Sequence, residues 1–234
     1  MKKIKTTIIL MCTFLMALNL QAQEIRALQH IQDGNLIHTI LLSEIDSITF
    51  TNYNIPNNSS GVEIDGVVWA LYNVNDPGAF ASKPEDAGML YQWNRPVGWS
   101  SSNPLENNTG GTVWNSSIPT GDTWTPENNV CPTGWRLPTQ SELQSLLNSG
   151  SFWGALNGVD GRFFGSGEER VFFPATGYRA HRDGTLSYAG SEGDYWSSTD
   201  IGAENAYTLS FDSNYVGMNY NFRSFGFSVR CVAE

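Results

Sequence analysis

Cysteine, lysine and histidine are scarce in this chain of 234 residues, and its long apolar run is confined to the start. Of three cysteines, Cys12 falls inside a leading segment that carries Lys2, Lys3 and Lys5, then apolar residues from 8 to 20, then Ala22. This pattern reads as a secretory signal peptide over residues 1–22, cleaved after Ala22. Cys12 follows Met11 rather than a small residue, which makes it a poor lipid-attachment site. No later run approaches the roughly 18 apolar residues that a membrane span needs. The expectation is an exported protein without a span after signal removal, placed at the cell surface, outside the cell or in the periplasm.

Two cysteines then remain, Cys131 and Cys231. In an oxidising compartment such a pair favours one disulfide over two buried free thiols. Lysine is reduced to Lys83 alone, and 10 basic residues face 23 acidic ones, a balance of −13. A surface of that sign repels nucleic acid and anionic membrane, and neither is expected as a partner.

Catalytic signatures are missing as well. The chain has no His-Glu-x-x-His, no Cys-x-x-Cys, no Gly-x-Ser-x-Gly and no phosphate-binding glycine loop. His30, His38 and His181 are too scattered to form a metal cluster. The adjacent Glu168 and Glu169, followed by Arg170, read as a solvated turn rather than an acid–base pair. The protein is not expected to be an enzyme.

What the chain does have is rings, glycine and short apolar runs. Residues 25–31 and 36–42 flank Asp33-Gly34, a strong hairpin signal. One turn at 43–46 and a short strand at 48–50 follow, so 23–50 forms a small β-hairpin segment. Residues 51–61 are polar and turn-rich, hence a linker. Residues 62–234 form the main domain. Asp65-Gly66 marks a second hairpin, and residues 171–173, 206–211 and 222–232 read as strands. Phe225, Phe227, Val229 and Cys231 share one face of the last. Thr139 with Glu142 makes a capping box, and Leu143, Leu146 and Leu147 give that helix an apolar face. A weaker helix is read over 84–93, from Met89, Leu90 and Trp93. Leu137 is expected to staple against Leu143. The fold class is α+β and loop-rich, with small antiparallel sheets and one or two short helices behind a small β-hairpin.

Five blocks occur in a characteristic order: Gly-Met-Leu-Tyr-Gln-Trp at 88–93, Val-Cys-Pro-Thr-Gly-Trp-Arg-Leu-Pro-Thr at 130–139, Pro-Ala-Thr-Gly-Tyr-Arg at 174–179, Tyr-Trp-Ser-Ser at 195–198 and Ser-Val-Arg-Cys-Val at 228–232. In this the chain resembles the Fibrobacter succinogenes major paralogous domain family over residues 62–234. A related family of unknown function shares several blocks, and the resemblance implies a C-type lectin-like fold on a secreted or surface protein. The leading hairpin resembles a segment common on exported proteins of Gram-negative gut bacteria. Arg-Leu-Pro-Thr and Arg-Cys-Val also echo formylglycine-generating enzymes, which need two reactive cysteines; a structural bridge between Cys131 and Cys231 would leave none.

The candidate ligand site lies where rings and charges crowd together: Tyr178, Arg179, His181, Arg182, Asp183, Tyr188, Asp194 and Tyr195. Rings supply stacking area and arginines bidentate hydrogen bonds, which suits a glycan or protein ligand at the cell surface. Such a site requires Arg179 and His181 to stay accessible. Trp196 is read as packed in the core, and Arg230 as paired with a carboxylate or carbonyl near the bridge. No cofactor is expected. The Glu-Pro-Asn and Trp-Asn-Asp triplets of calcium-dependent lectins are missing, although residues 200–205 and 212–221 hold oxygen donors for a different calcium cage. The alternative to a binding module is a structural or tip subunit of a surface filament, its hairpin adding to a partner's sheet.

Overall fold

The structure is a computed structural model that describes residues 27–32, 35–41, 61–167 and 169–234. The signal segment, the turn at 43–46, the strand at 48–50, the linker up to residue 60 and Glu168 lie outside the described residues. The chain divides into two compact units, Met1–Ile55 and Pro56–Glu234. In the first, β1 (Ala27–Gln32) and β2 (Asn35–Leu41) pair antiparallel across the Asp-Gly dipeptide, with an irregularity between His30 and Ile31.

Among the described residues, the second unit is built from small antiparallel sheets and one α-helix. β3 (Gly61–Ile64) and β4 (Val67–Asn73) are joined by Asp65 and Gly66, whose φ angles of 50° and 77° are what the two-residue turn demands. β5 (Met89–Gln92) and β6 (Gly98–Ser100) form the next hairpin. β7 (Trp135–Arg136) leads into α1 (Gln140–Asn148). β8 (Ser151–Leu156), β9 (Val159–Ser166) and β10 (Glu169–Pro174) make a three-stranded meander. β11 (Tyr178–Arg179) and β12 (Leu186–Ser187) join β5 and β6 through β16 (Gly226–Phe227). β13 (Gly193–Ile201), β14 (Asn205–Phe211) and β15 (Val216–Phe222) form a separate sheet. β17 (Arg230–Ala233) ends the chain between β4 and β7. This is the expected loop-rich α+β arrangement. Among the described residues, no helix is long and apolar enough to cross a membrane.

Three local expectations change. Residues 84–93 hold β5 rather than a helix: Leu90, Tyr91 and Gln92 are buried in succession, and a strand buried on both faces mimics helical apolar spacing. The strand expected over 222–232 is split, because β16 and β17 pair with different sheets. Its alternation still holds, since Phe227, Val229 and Cys231 share one core cluster with Phe225 packed against it. Leu137 does not staple Leu143, because the two sit in different apolar clusters.

The turn before α1 is tied down by charge as well as by shape. Thr139 Oγ1 accepts from Glu142 N at 3.2 Å, and Thr139 N donates to Glu142 Oε2 at 2.7 Å. Arg136 grips the same carboxylate with bonds of 2.9 and 2.7 Å. Desolvation would raise the Glu142 carboxyl, but the hydrogen bonds from Arg136 and Thr139 outweigh it and hold it below its ordinary range. Upstream of the capping box, a disulfide joins Cys131 to Cys231, whose Cα atoms are 6.0 Å apart. The bridge ties the segment before β7 to the last strand across a separation of 100 residues.

Candidate functional site

Direct cross-strand partners in an antiparallel sheet share a face, so register sorts the side chains of β13–β15. On one face, Tyr195 pairs with Leu209 and Leu209 with Met218, and Phe211 pairs with Val216. These side chains pack with Leu143 and Leu146 of α1, Phe164 and Phe173 in one apolar cluster. On the other face, Asp194 pairs with Ser210 and Ser210 with Gly217, Trp196 with Thr208 and Thr208 with Asn219, and Ala206 with Asn221. One side of the sheet is therefore oily, and the other carries a polar row.

That row borders a cleft of about 260 Å³. Its floor holds Asp194, Ser210, Asn219 and Asn221, and one wall is aromatic: Tyr178, Phe225 and Phe227. Tyr178 meets Phe225 edge-on at 5.5 Å and Phe227 at 6.0 Å, while Phe225 and Phe227 stack at 5.3 Å. Tyr215 adds a further ring, lying across Gly217, where a Cβ would come within 2.5 Å of its hydroxyl. Glu192, Phe211 and Asp212 complete the lining.

The polar row is wired in one direction. Asn221 Nδ2 donates to Thr208 Oγ1 at 3.1 Å, Thr208 Oγ1 lies 3.3 Å from Ser210 Oγ, and Ser210 Oγ donates to Asp194 Oδ1 at 2.5 Å. With both ends set, the middle hydroxyl must point from Thr208 to Ser210. Asp194 is 8% exposed, and burial, helped by the nearby Glu192 charge, lifts its carboxyl to about 6 against the Ser210 hydrogen bond. Burial, then Asp212, likewise raises Glu192. Burial followed by Glu192 raises the Tyr178 hydroxyl.

Asp194 gives a prediction for stability. A carboxyl ordinarily near 3.8 that titrates near 6 in the fold is neutral in both states at low pH and costly to ionise when folded. Stability should fall as pH rises from about 4 through 6, by roughly 3 kcal/mol for such a shift. The Asp194→Asn variant should lose that slope, measured as urea midpoints across the interval against the parent protein. Equal slopes would refute it.

The structure sorts the eight sequence-derived candidates unevenly. Tyr178 and Asp194 line the cleft, and Tyr188, 56% exposed, stands 5.7 Å from the Tyr178 ring. His181 packs its ring against Phe222 and Phe225, just behind the aromatic wall, where burial lowers its basicity. Arg182 and Asp183 are exposed in the turn beyond, and Asp183 caps Thr185 N at 2.9 Å. Two candidates belong elsewhere. Arg179 is 1% exposed and donates to Ser100 O, Ser102 O, Gly184 O, Ser100 Oγ and Asn103 Oδ1. It is a tie between loops, because its neighbour Tyr178 takes the cleft-facing side of the strand. Tyr195 is fully buried, its hydroxyl donating to Pro174 O at 2.8 Å and accepting from Asn73. Trp196 is also core, as expected.

Sequence reasoning passed over Glu192, Ser210, Tyr215 and Phe225 as site residues and treated 212–221 only as a store of calcium oxygens. The missed signal was the alternation of polar and apolar residues along β14 and β15, which gives that sheet a second, polar face. Among the described residues, no group of three His, Cys, Asp or Glu side chains is arranged to hold a metal ion.

A family model described as a domain of unknown function (DUF8237) matches residues 147–232, a span that contains every residue lining the cleft. None of the curated proteins and none of the solved structures matches the chain.

Proposed function

We propose that the protein is an exported, non-catalytic binding module that takes a glycan in the cleft above β13–β15. The observation that carries this is one concave site pairing an aromatic wall with a row of carboxylate, hydroxyl and amide groups. Rings offer apolar area to the C–H faces of a sugar, and the row offers directed partners to its hydroxyls. A C-type lectin-like fold fits the same reading, supported by the five sequence blocks and by small antiparallel sheets closed with a terminal disulfide. No cofactor is required in it.

A glycan array tests the reading. Binding should appear for a limited set of sugars, persist after chelation of calcium, and weaken about tenfold in Tyr178→Ala and Asn219→Ala, for one lost ring contact or polar partner. An array without signal would overturn it.

A filament subunit is the second reading, favoured by one feature. Among the described residues β15 pairs only with β14, and it presents Tyr220 and Phe222 at 58% and 39% exposure. An open, uncharged edge of this kind can receive another strand. Assembly would show as a size that grows with protein concentration and is abolished by Tyr220→Lys.

A further inference from the structure

Resting on the glycan reading, we infer that the cleft selects amino sugars, seating a protonated amine against Asp194. The first reason is the direction of the polar row. Asn221, Thr208 and Ser210 each spend a donor on the chain that ends at Asp194 Oδ1, which leaves the two hydroxyls no hydrogen for a ligand and Asn221 only the second hydrogen of its amide. Asp194 Oδ2 has no hydrogen-bond partner among the described residues, although the side chain is 8% exposed and borders the cleft. That oxygen is free to accept from a ligand, and a charged donor is worth most there.

The second reason is charge. Asp194, Glu192 and Asp212 all border the cleft, and among the described residues no arginine, lysine or histidine does. Asp212 is partly committed, accepting from Asn214 N and Tyr215 N at 2.6 and 2.8 Å. Arg162 donates to the Asp212 carbonyl at 2.9 Å and to Ser151 Oγ at 3.1 Å, not to the Asp212 carboxylate. His181 stands behind Phe225. The field inside the cleft is thus negative, and the faces of Tyr178 and Phe225 add attraction for a cation. A neutral sugar answers the carboxylates only with hydroxyl donors, whereas a sugar with a free amine brings a charged donor that also offsets the negative field. Acetylation removes that charge and adds bulk where the carboxylate stands.

The test is calorimetric titration of the purified protein near neutral pH with a glucosamine oligosaccharide and with its fully N-acetylated form of the same length. The free-amine form should bind at least about tenfold tighter. That preference should vanish in Asp194→Asn and shrink in Glu192→Gln, a half-buried position. It should also shrink as pH falls to about 5, where Asp194 takes up a proton. If the N-acetylated form binds as well or better, or if the preference survives in Asp194→Asn, the inference fails while the glycan reading stands. If neither form binds and no glycan does, both fail. Asp194-dependent binding of a lysine-containing peptide without binding of either sugar would move the amine to a protein ligand and overturn the amino-sugar assignment.

Discussion

Replacing Arg230 by alanine is expected to destabilise the protein by about 3–5 kcal/mol, the scale for a core cavity together with buried acceptors that lose their donor. Arg230 is 0% exposed and donates to Asn73 Oδ1, Ala70 O and Phe172 O, each at 3.0 Å. Its guanidinium also lies over the Phe173 ring, 4.6 Å from the centroid. One side chain thereby joins β17 to β4 and β10. Burial pulls the guanidinium down to about 10, which still leaves it charged at neutral pH. Truncation leaves three buried acceptors without donors and opens a void beside Phe173. Arg230→Met refills the void but not the bonds, so it should fall between alanine and the parent. Urea denaturation of the three proteins checks this order, and a loss below about 1 kcal/mol for alanine would refute the role.

Removal of the disulfide should be comparably costly. Cys131 and Cys231 are 5% and 0% exposed, and they close a loop of 100 residues. The chain-entropy model puts such a closure at about 4.7 kcal/mol, with about 2–5 kcal/mol typical on removal. For a domain of this size that corresponds to a fall in Tm on the order of 10 °C. Thermal unfolding of the Cys131→Ala, Cys231→Ala double variant measures it. Alanine is chosen because both sulfurs sit among apolar neighbours such as Val130, Leu137 and Val229, where serine would add an unpaired hydroxyl. An unchanged Tm would mean that the loop is held by its other contacts alone. In the parent protein, denaturation with reductant should reproduce the variant's loss.

The buried arginines also show how a sequence can mislead about a site. Arg179, Arg223 and Arg230 are each at most 1% exposed in a protein with few cations. All three are bonded mainly to main-chain carbonyls, and Arg223 additionally stacks on Trp93 at 4.2 Å. Loop-rich folds leave carbonyls without ladder partners, and a five-donor side chain can satisfy several at once. In an acidic protein such arginines resemble ligand anchors when read in sequence order, yet here they fasten loops to the core.

Features governed by neighbours in the chain were legible from the residues: the Asp65-Gly66 turn, the Thr139–Glu142 capping box, the pairing of Ala27–Gln32 with Asn35–Leu41 and the alternation ending at Cys231. Their signals span a few residues, because turn conformations, caps and strand periodicity act over that range. The Cys131–Cys231 bridge was legible too, since two thiols admit one pairing. The cleft was not. Asp194, Ser210 and Asn219 lie on three strands, and their meeting on one face depends on the register of β13, β14 and β15. A shift of one residue would turn each of them to the other face, and what holds that register is the burial of Tyr195, Leu209, Phe211 and Met218 against α1 and β8–β10. For the same reason Tyr178 faces the cleft and Arg179 faces the core, a choice between adjacent residues that long-range packing made.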